Sequence, residues 1–285
     1  MKQADKLSLS VFFLVFFSLI IDVQSVQAQT LGKFLGDETS LYAMTKQMSQ
    51  FFSRFNNEED GTGKKYLPSD KQYHESGKRR QILPLMFDNE NQRTAGALRD
   101  LFIEDLTGKK QEFFNFLDGR WYAEVSTTFE YEGKQVPVVL FLMIEKERLG
   151  SKWVLTNVYF QGFNQFFPSG EIVDKEKENY FLHPMSHELD FMNLNKVFGE
   201  PSKAEYFASN SFHPDFLTLF LYEVKLGHMK FVTVDALKFH IFQIKNWYFE
   251  VSYFNRKGNN TGWLISNLMY VKENEKEKLI KFYEP

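Results

Sequence analysis

Residues 121–160 read WYAEVSTTFEYEGKQVPVVLFLMIEKERLGSKWVLTNVYF. Val, Thr, Tyr, Phe and Trp crowd three segments, 121–131, 135–147 and 152–160, separated by Glu132-Gly133-Lys134 and Leu149-Gly150-Ser151. Residues that suit a pleated surface, interrupted by short glycine turns, predict a three-stranded antiparallel meander. In the middle strand both alternating sets are apolar: Val136, Val138, Leu140 and Leu142 on one face, Pro137, Val139, Phe141 and Met143 on the other. Such a strand must be covered on both faces, so helices are expected against at least one of them. The fold class that follows is α+β, with helices packed on curved antiparallel meander sheets.

Upstream of this stretch the hydrophobic period is helical. Leu41, Met44, Met48, Phe51, Phe52 and Phe55 recur at three- and four-residue steps, with Asp37, Thr39 or Ser40 as candidate N-cap. Residues 56–70, NNEEDGTGKKYLPSD, are rich in turn formers and predict an exposed, mobile loop. Residues 74–106 predict two shorter helices broken near Pro84 and Asn89-Asn91. Leu98, Leu101, Phe102 and Leu106 form the apolar stripe of the second.

Downstream, the charged run EIVDKEKE at 171–178 follows Pro168-Ser169-Gly170 and marks a boundary. Beyond it Ser186 can cap a helix ending at Gly199-Glu200-Pro201, and strand-like segments follow at 216–225, 229–244, 247–256 and 263–272. The apolar run at 216–225 also suits a buried helix; a strand is expected, because the Gly227 turn would join two segments of matching length.

Trp121-Tyr122-Ala123-Glu124-Val125-Ser126 returns as Trp247-Tyr248-Phe249-Glu250-Val251-Ser252. Trp153-Val154-Leu155-Thr156-Asn157-Val158-Tyr159 likewise corresponds to Trp263-Leu264-Ile265-Ser266-Asn267-Leu268-Met269, in the same order. Aromatic hairpins also resemble one another by chance. A duplication explains both blocks and gives two successive similar units, 29–167 and 182–285, joined by a charged linker at 168–181. Helices followed by a long aromatic meander, with Trp in the last strands at 153–160 and 263–271, resemble the cone-shaped α+β fold of the nuclear transport factor two-like superfamily, here as two tandem copies. That resemblance implies no single activity, because the superfamily includes isomerases, dehydratases, ligand binders and non-catalytic assembly modules.

The chain of 285 residues holds 32 Phe and no cysteine, and its net charge is -3. So many aromatic residues can bury a large core, which excludes disorder by composition. Without cysteine there are no disulfides, thiolate nucleophiles, Cys-ligated zinc or iron-sulfur clusters. The slight negative charge gives no bulk attraction to nucleic acid. At the N-terminus Lys2 and Lys6 precede the apolar run LSLSVFFLVFFSLII at 7–21 and the small-residue pattern Val26-Gln27-Ala28. This predicts a signal peptide at 1–28 and a periplasmic or secreted protein. The run is short for a membrane span and no later segment is apolar enough, so no stable membrane insertion is expected after signal removal.

No catalytic motif emerges. His183 and His187 are four apart, but Pro184 and Ser186 place them in a turn followed by a helix cap, and His213, His228 and His240 are isolated in sequence. Gly61-Thr62-Gly63-Lys64-Lys65 lacks phosphate-loop spacing, and Lys78-Arg79-Arg80 reads as a solvated helix face. No metal site and no cofactor are expected. Strand alternation places Asn157 on the face of Trp153 and Asn267 on that of Trp263. Tyr122 and Glu124, like Tyr248 and Glu250, fall opposite Trp121 and Trp247. Most such residues are structural or solvent-facing. As ligand-binding candidates they leave two readings. One is a non-catalytic exported module whose aromatic sheet surfaces engage an envelope or extracellular protein or peptide. The other is a pocket for a small apolar ligand, with or without hydrolase or isomerase chemistry, in which Tyr122, Glu124, Asn157, Tyr248, Glu250 and Asn267 supply polar contacts. Export is checked directly by mass: the native protein is expected to begin at Gln29, and a chain retaining Met1 would refute the signal.

Overall fold

The computed structural model describes residues 47–148, 150–166, 179–182, 194–209, 215–257 and 260–284. The signal segment, the start of the first expected helix, most of the charged linker and the His183–His187 region lie outside the described residues. Two compact units emerge, Met1–Phe114 with Phe254–Leu264, and Asn115–Tyr253 with Ile265–Pro285. Their composition differs from the expected 29–167 and 182–285.

The first unit contains α1 (Met48–Asn56), α2 (Ser76–Ile82) leading into a 3-10 turn (Leu83–Met86), and α3 (Ala97–Thr107). Phe51, Phe52 and Phe55 fall on one face of α1 and are buried, and Phe55 stacks on Phe114 with ring centroids 3.9 Å apart. Asn56 locks that contact: its Nδ2 donates to the Phe114 carbonyl and its Oδ1 accepts from the Phe114 N–H, both at 2.8 Å. The expected loop at 56–70 is exposed over most of 61–70, but its start is not: Asn56, at the end of α1, and Asn57 and Glu59 after it are buried, and Glu59 pairs with Lys65 in an isolated antiparallel bridge.

Arg79 also departs from expectation. It is fully buried, and its guanidinium donates to the carbonyls of Phe55 (3.1 Å), Leu106 (3.1 Å) and Glu112 (2.8 Å) and to Gln111 Oε1 (3.0 Å). Its plane lies over the Phe113 ring at 4.4 Å. Burial lowers its pKa to about 10, still well above neutrality. One planar cation thus ties α1, α3 and the chain after α3 together, a role its charged sequence neighbours conceal.

The second unit is built on a sheet ordered β3-β2-β1-β4-β5-β6. Its strands are β1 (Trp121–Tyr131), β2 (Lys134–Glu147), β3 (Gly150–Tyr159), β4 (Met229–Ile241), β5 (Trp247–Phe254) and β6 (Gly262–Tyr270). Glu132 (φ 51) and Gly133 (φ 73) make the two-residue hairpin turn between β1 and β2, with both central residues in the left-handed conformation that such turns require. The meanders expected as separate sheets are one sheet, because β1 and β4 pair antiparallel along their length. Trp121 lies on the first strand of its meander and Trp247 on the second of its own, so those repeated blocks occupy non-equivalent strands. Trp153 and Trp263 both lie on edge strands.

Two helices in this unit were not read as such from the sequence. Residues 216–225, expected as a strand, form α5 (Phe216–Lys225), following the short α4 (Asn195–Gly199). Asp215 caps α5 by accepting from the Thr218 N–H at 2.7 Å and from its hydroxyl at 2.8 Å. Gly227 (φ 74) closes it, its N–H bonded to Val224 and that of His228 to Glu223. The helix lays Phe220 edge-on against Phe129, in a core shared with Val138, Val158, Phe160 and Phe163. At the C-terminus α6 (Glu273–Tyr283) buries Lys276, Ile280 and Tyr283 at steps of four and three. The Lys276 ammonium is satisfied by the Ile244 carbonyl (2.6 Å), the Phe242 carbonyl (3.3 Å) and Glu273 (2.7 Å).

Replacing Arg79 with Met keeps an apolar stem but removes the donor from three buried carbonyls. We expect Arg79→Met to lower stability by about 3 kcal/mol or more in urea unfolding, and Arg79→Lys to recover only part of it.

Candidate functional site

The face of the sheet that meets α6 carries a continuous polar row. Register alone assembles it: Tyr122 and Glu124 on β1 lie opposite His240 and Lys238 on β4, and His240 lies opposite Glu250 on β5. His240 is therefore flanked by a strand on each side. Its Nε2 is 2.7 Å from Glu124 Oε2 and its Nδ1 2.9 Å from the Tyr248 hydroxyl. Tyr248 donates to Glu250 Oε1 at 2.9 Å, and Asn267 Nδ2 donates to the same oxygen at 3.1 Å. Lys238 bridges the two carboxylates, 3.3 Å from Glu250 and 3.9 Å from Glu124.

Four of the sequence candidates, Glu124, Tyr248, Glu250 and Asn267, thus meet in one network. Both carboxylates are half-buried rather than solvent-facing. Tyr122 lies beside the network but bonds elsewhere: its hydroxyl donates to Glu284, and its ring stacks on Tyr283 at 4.6 Å. Asn157 is separate. Its Nδ2 donates to the Phe282 carbonyl at 2.7 Å, anchoring the end of α6 to β3, and its Oδ1 accepts from the Val158 N–H.

Asn157 also does not share the face of Trp153. The β2–β3 register slips so that Asn157 pairs with Phe141 while Leu155 pairs with Leu142. Thr156 is the extra residue of a β-bulge, and simple alternation fails across it. Trp153 turns instead toward Trp121, with ring centroids 5.1 Å apart.

Sequence reading missed His240 and Lys238. Neither has a motif around it, and only the pairing of β4 with strands more than a hundred residues away and immediately following brings them to the carboxylates. The one available signal is alternation: Lys238, His240 and Phe242 share a face, which places two polar side chains in line with a residue of the core formed by Tyr122, Phe141, Tyr248 and Tyr283.

The electrostatics set what this row can do. The hydrogen bond from His240, opposed by burial and supported by the charges of His240 and Lys238, holds Glu124 below its ordinary value of 4.5. Burial raises the Glu250 carboxyl, but the bonds from Asn267 and Tyr248 and the charge of Lys238 outweigh it, and the net shift is downward. Burial first, and then the Glu250 charge, push the Tyr248 phenol upward. The carboxylates stay ionised and the phenol stays protonated at neutral pH. Among the described residues no group of three His, Asp or Glu side chains is placed to hold a metal ion.

A second feature adjoins the row along β4. The ladder with β5 covers only Lys238–Ile241, pairing Lys238 with Ser252 through Ile241 with Phe249. Residues 230–237 are exposed, including Phe231 (58%), Val234 (53%) and Leu237 (36%). These three pair across to Phe129, Thr127 and Val125 and so share one face of β4. No family model, no curated protein and no solved structure matches the chain.

Because the folded-state pKa values of Glu124 and Glu250 are depressed, their stabilisation is present above the ordinary carboxyl value and is lost as pH falls through the folded values. The urea midpoint is expected to be nearly flat from pH 7 to 5 and to drop below about pH 4.5. Combining Glu124→Gln with Glu250→Gln should flatten that acid limb, and an unchanged slope in the double variant would refute the assignment.

Proposed function

We propose that the protein is an exported, non-catalytic binding or assembly module that engages a protein or peptide partner through the apolar face of β4. The observation that carries this reading is the run of exposed Phe231, Val234 and Leu237 on a strand whose other half is covered. Apolar side chains gathered on one exposed face lose water-ordered surface only when another molecule covers them, and such patches mark interaction sites. The neighbouring helix α5 adds Leu221, Tyr222 and Val224, all exposed.

Export rests on the charged start, the short apolar run and the Val-Gln-Ala ending of residues 1–28. The polar row supports the non-catalytic half of the reading, since its carboxylates and its phenol are engaged with one another, with His240, with Lys238 and with Asn267. A partner in the envelope or outside the cell fits the proposed destination, and a chain of net charge -3 offers no general attraction to nucleic acid.

The test is a paired substitution. Phe231→Lys with Val234→Lys changes only exposed side chains, so the melting temperature should stay within about 2 °C. Affinity crosslinking of the tagged full chain in its own cells should yield a partner with the parent and lose it with the variant. A partner retained at full yield by the folded variant would refute the β4 face as the site.

A further inference from the structure

Within the first unit, α1, the turn that follows it, the 3-10 turn Leu83–Met86 and the start of β6 border a cavity of about 260 Å³. A dry apolar cavity of roughly 150 Å³ accepts benzene, so this volume admits one ring with a short side chain. Ile82, Met86 and Trp263 supply apolar lining, and three charged residues, Arg54, Glu59 and Asp60, line it as well.

The charges do not cancel. Arg54 Nε holds Glu59 Oε1 at 2.9 Å, and both side chains are largely buried, so together they contribute no net charge. Asp60 adds a negative charge, and the cation that acts on it, Lys64, lies outside the lining. Its Oδ1 is engaged by the turn, accepting from the Thr62 hydroxyl (2.6 Å), the Thr62 N–H (2.8 Å) and the Lys64 N–H (3.0 Å). These donors, the Thr62 hydroxyl foremost, hold the carboxyl below its ordinary value. Oδ2 takes none of those bonds. A fixed carboxylate with one oxygen uncommitted, beside an indole, a thioether and a branched aliphatic chain, complements an organic cation with an apolar body.

We propose that this cavity binds a small primary amine carrying an aromatic or branched apolar group, with its ammonium on Asp60 and its body against Ile82, Met86 and Trp263. An anionic ligand of the same shape is disfavoured, because it would meet the Asp60 carboxylate with like charge.

Phenethylamine and phenylacetate share that body and differ in charge. Titrated into the full chain and followed by tryptophan fluorescence and by protein-observed NMR, phenethylamine is expected to saturate and phenylacetate is not. Asp60→Asn retains an Oδ1 acceptor for the turn and should weaken the amine by about tenfold, the loss of one charge-assisted bond. Leu85 lines the same cavity and is 66% exposed, so Leu85→Lys tests charge without disturbing a core. It should weaken the amine roughly two- to fivefold. Equal affinity for phenylacetate, absence of saturation by the amine at millimolar concentration, or unchanged amine affinity in both variants overturns the proposal.

Discussion

The antiparallel pairing of β1 with β4 is the constraint on which the second unit depends. It fuses two meanders into one sheet and fixes the register that sets Tyr122 against His240 and Glu124 against Lys238. Because side chains alternate with a period of two, a slip by one residue would send His240 and Lys238 to the face of Trp121 and bring Phe239 and Ile241 to face α6. A buried imidazole stripped of its carboxylate and phenol would then replace a satisfied network, at a cost that selects the observed register. The polar row is costly in any other alignment, which makes it a register pin as well as a candidate site.

That pairing also explains which parts of the fold were legible. The strands could be read because β-branched and aromatic residues cluster between Gly, Asn and Asp turns, a local signal. Their partnership could not, since β1 and β4 are joined by nothing in the sequence between them. The same locality accounts for the misreading of 216–225. Its apolar run has no decisive period, and the evidence for a helix sits at its ends, in Asp215 with Thr218 and in Gly227. Helix α6 has a weak sequence signal, because ENEKEKLIKFY carries few apolar residues and its buried face includes Lys276, whose ammonium rests on two carbonyls and a carboxylate. Arg79 shows the same effect in the first unit, where flanking Lys78 and Arg80 suggest a solvated face and the middle cation is the buried one.

The candidate site was legible in part for a related reason. Alternation correctly placed Glu124 and Glu250 opposite Trp121 and Trp247, because β1 and β5 run without interruption between those residues. It failed at Asn157, where the bulge at Thr156 turns the amide toward α6. No residue type in the sequence announces that bulge, and the two candidate asparagines consequently differ. Asn267 donates to the network carboxylate, whereas Asn157 fastens the last turn of the C-terminal helix.

β4 itself carries the contrast between the two halves of the reading. From Lys238 to Ile241 it is flanked by strands on both sides and carries the polar row, while from Lys230 to Leu237 it has β1 on one side and exposed apolar side chains. An exposed strand edge invites pairing with another chain, and this one bears the usual deterrents. The β1–β4 register slips at Val232 and at Asp235, and Asp235 is tied back by the Thr128 hydroxyl at 2.7 Å. Two bulges and the charges of Lys230 and Asp235 disturb the regular row of donors and acceptors that an added strand would need. The bulges also create the common face of Phe231, Val234 and Leu237: these residues are three apart, and one extra residue in each interval puts all three on the side that strict alternation would deny Val234. The edge is thereby made a poor template while the face stays continuous and apolar. A partner covering this strand is best accommodated by side-chain packing onto the face, which favours a folded or helical surface over an extended strand.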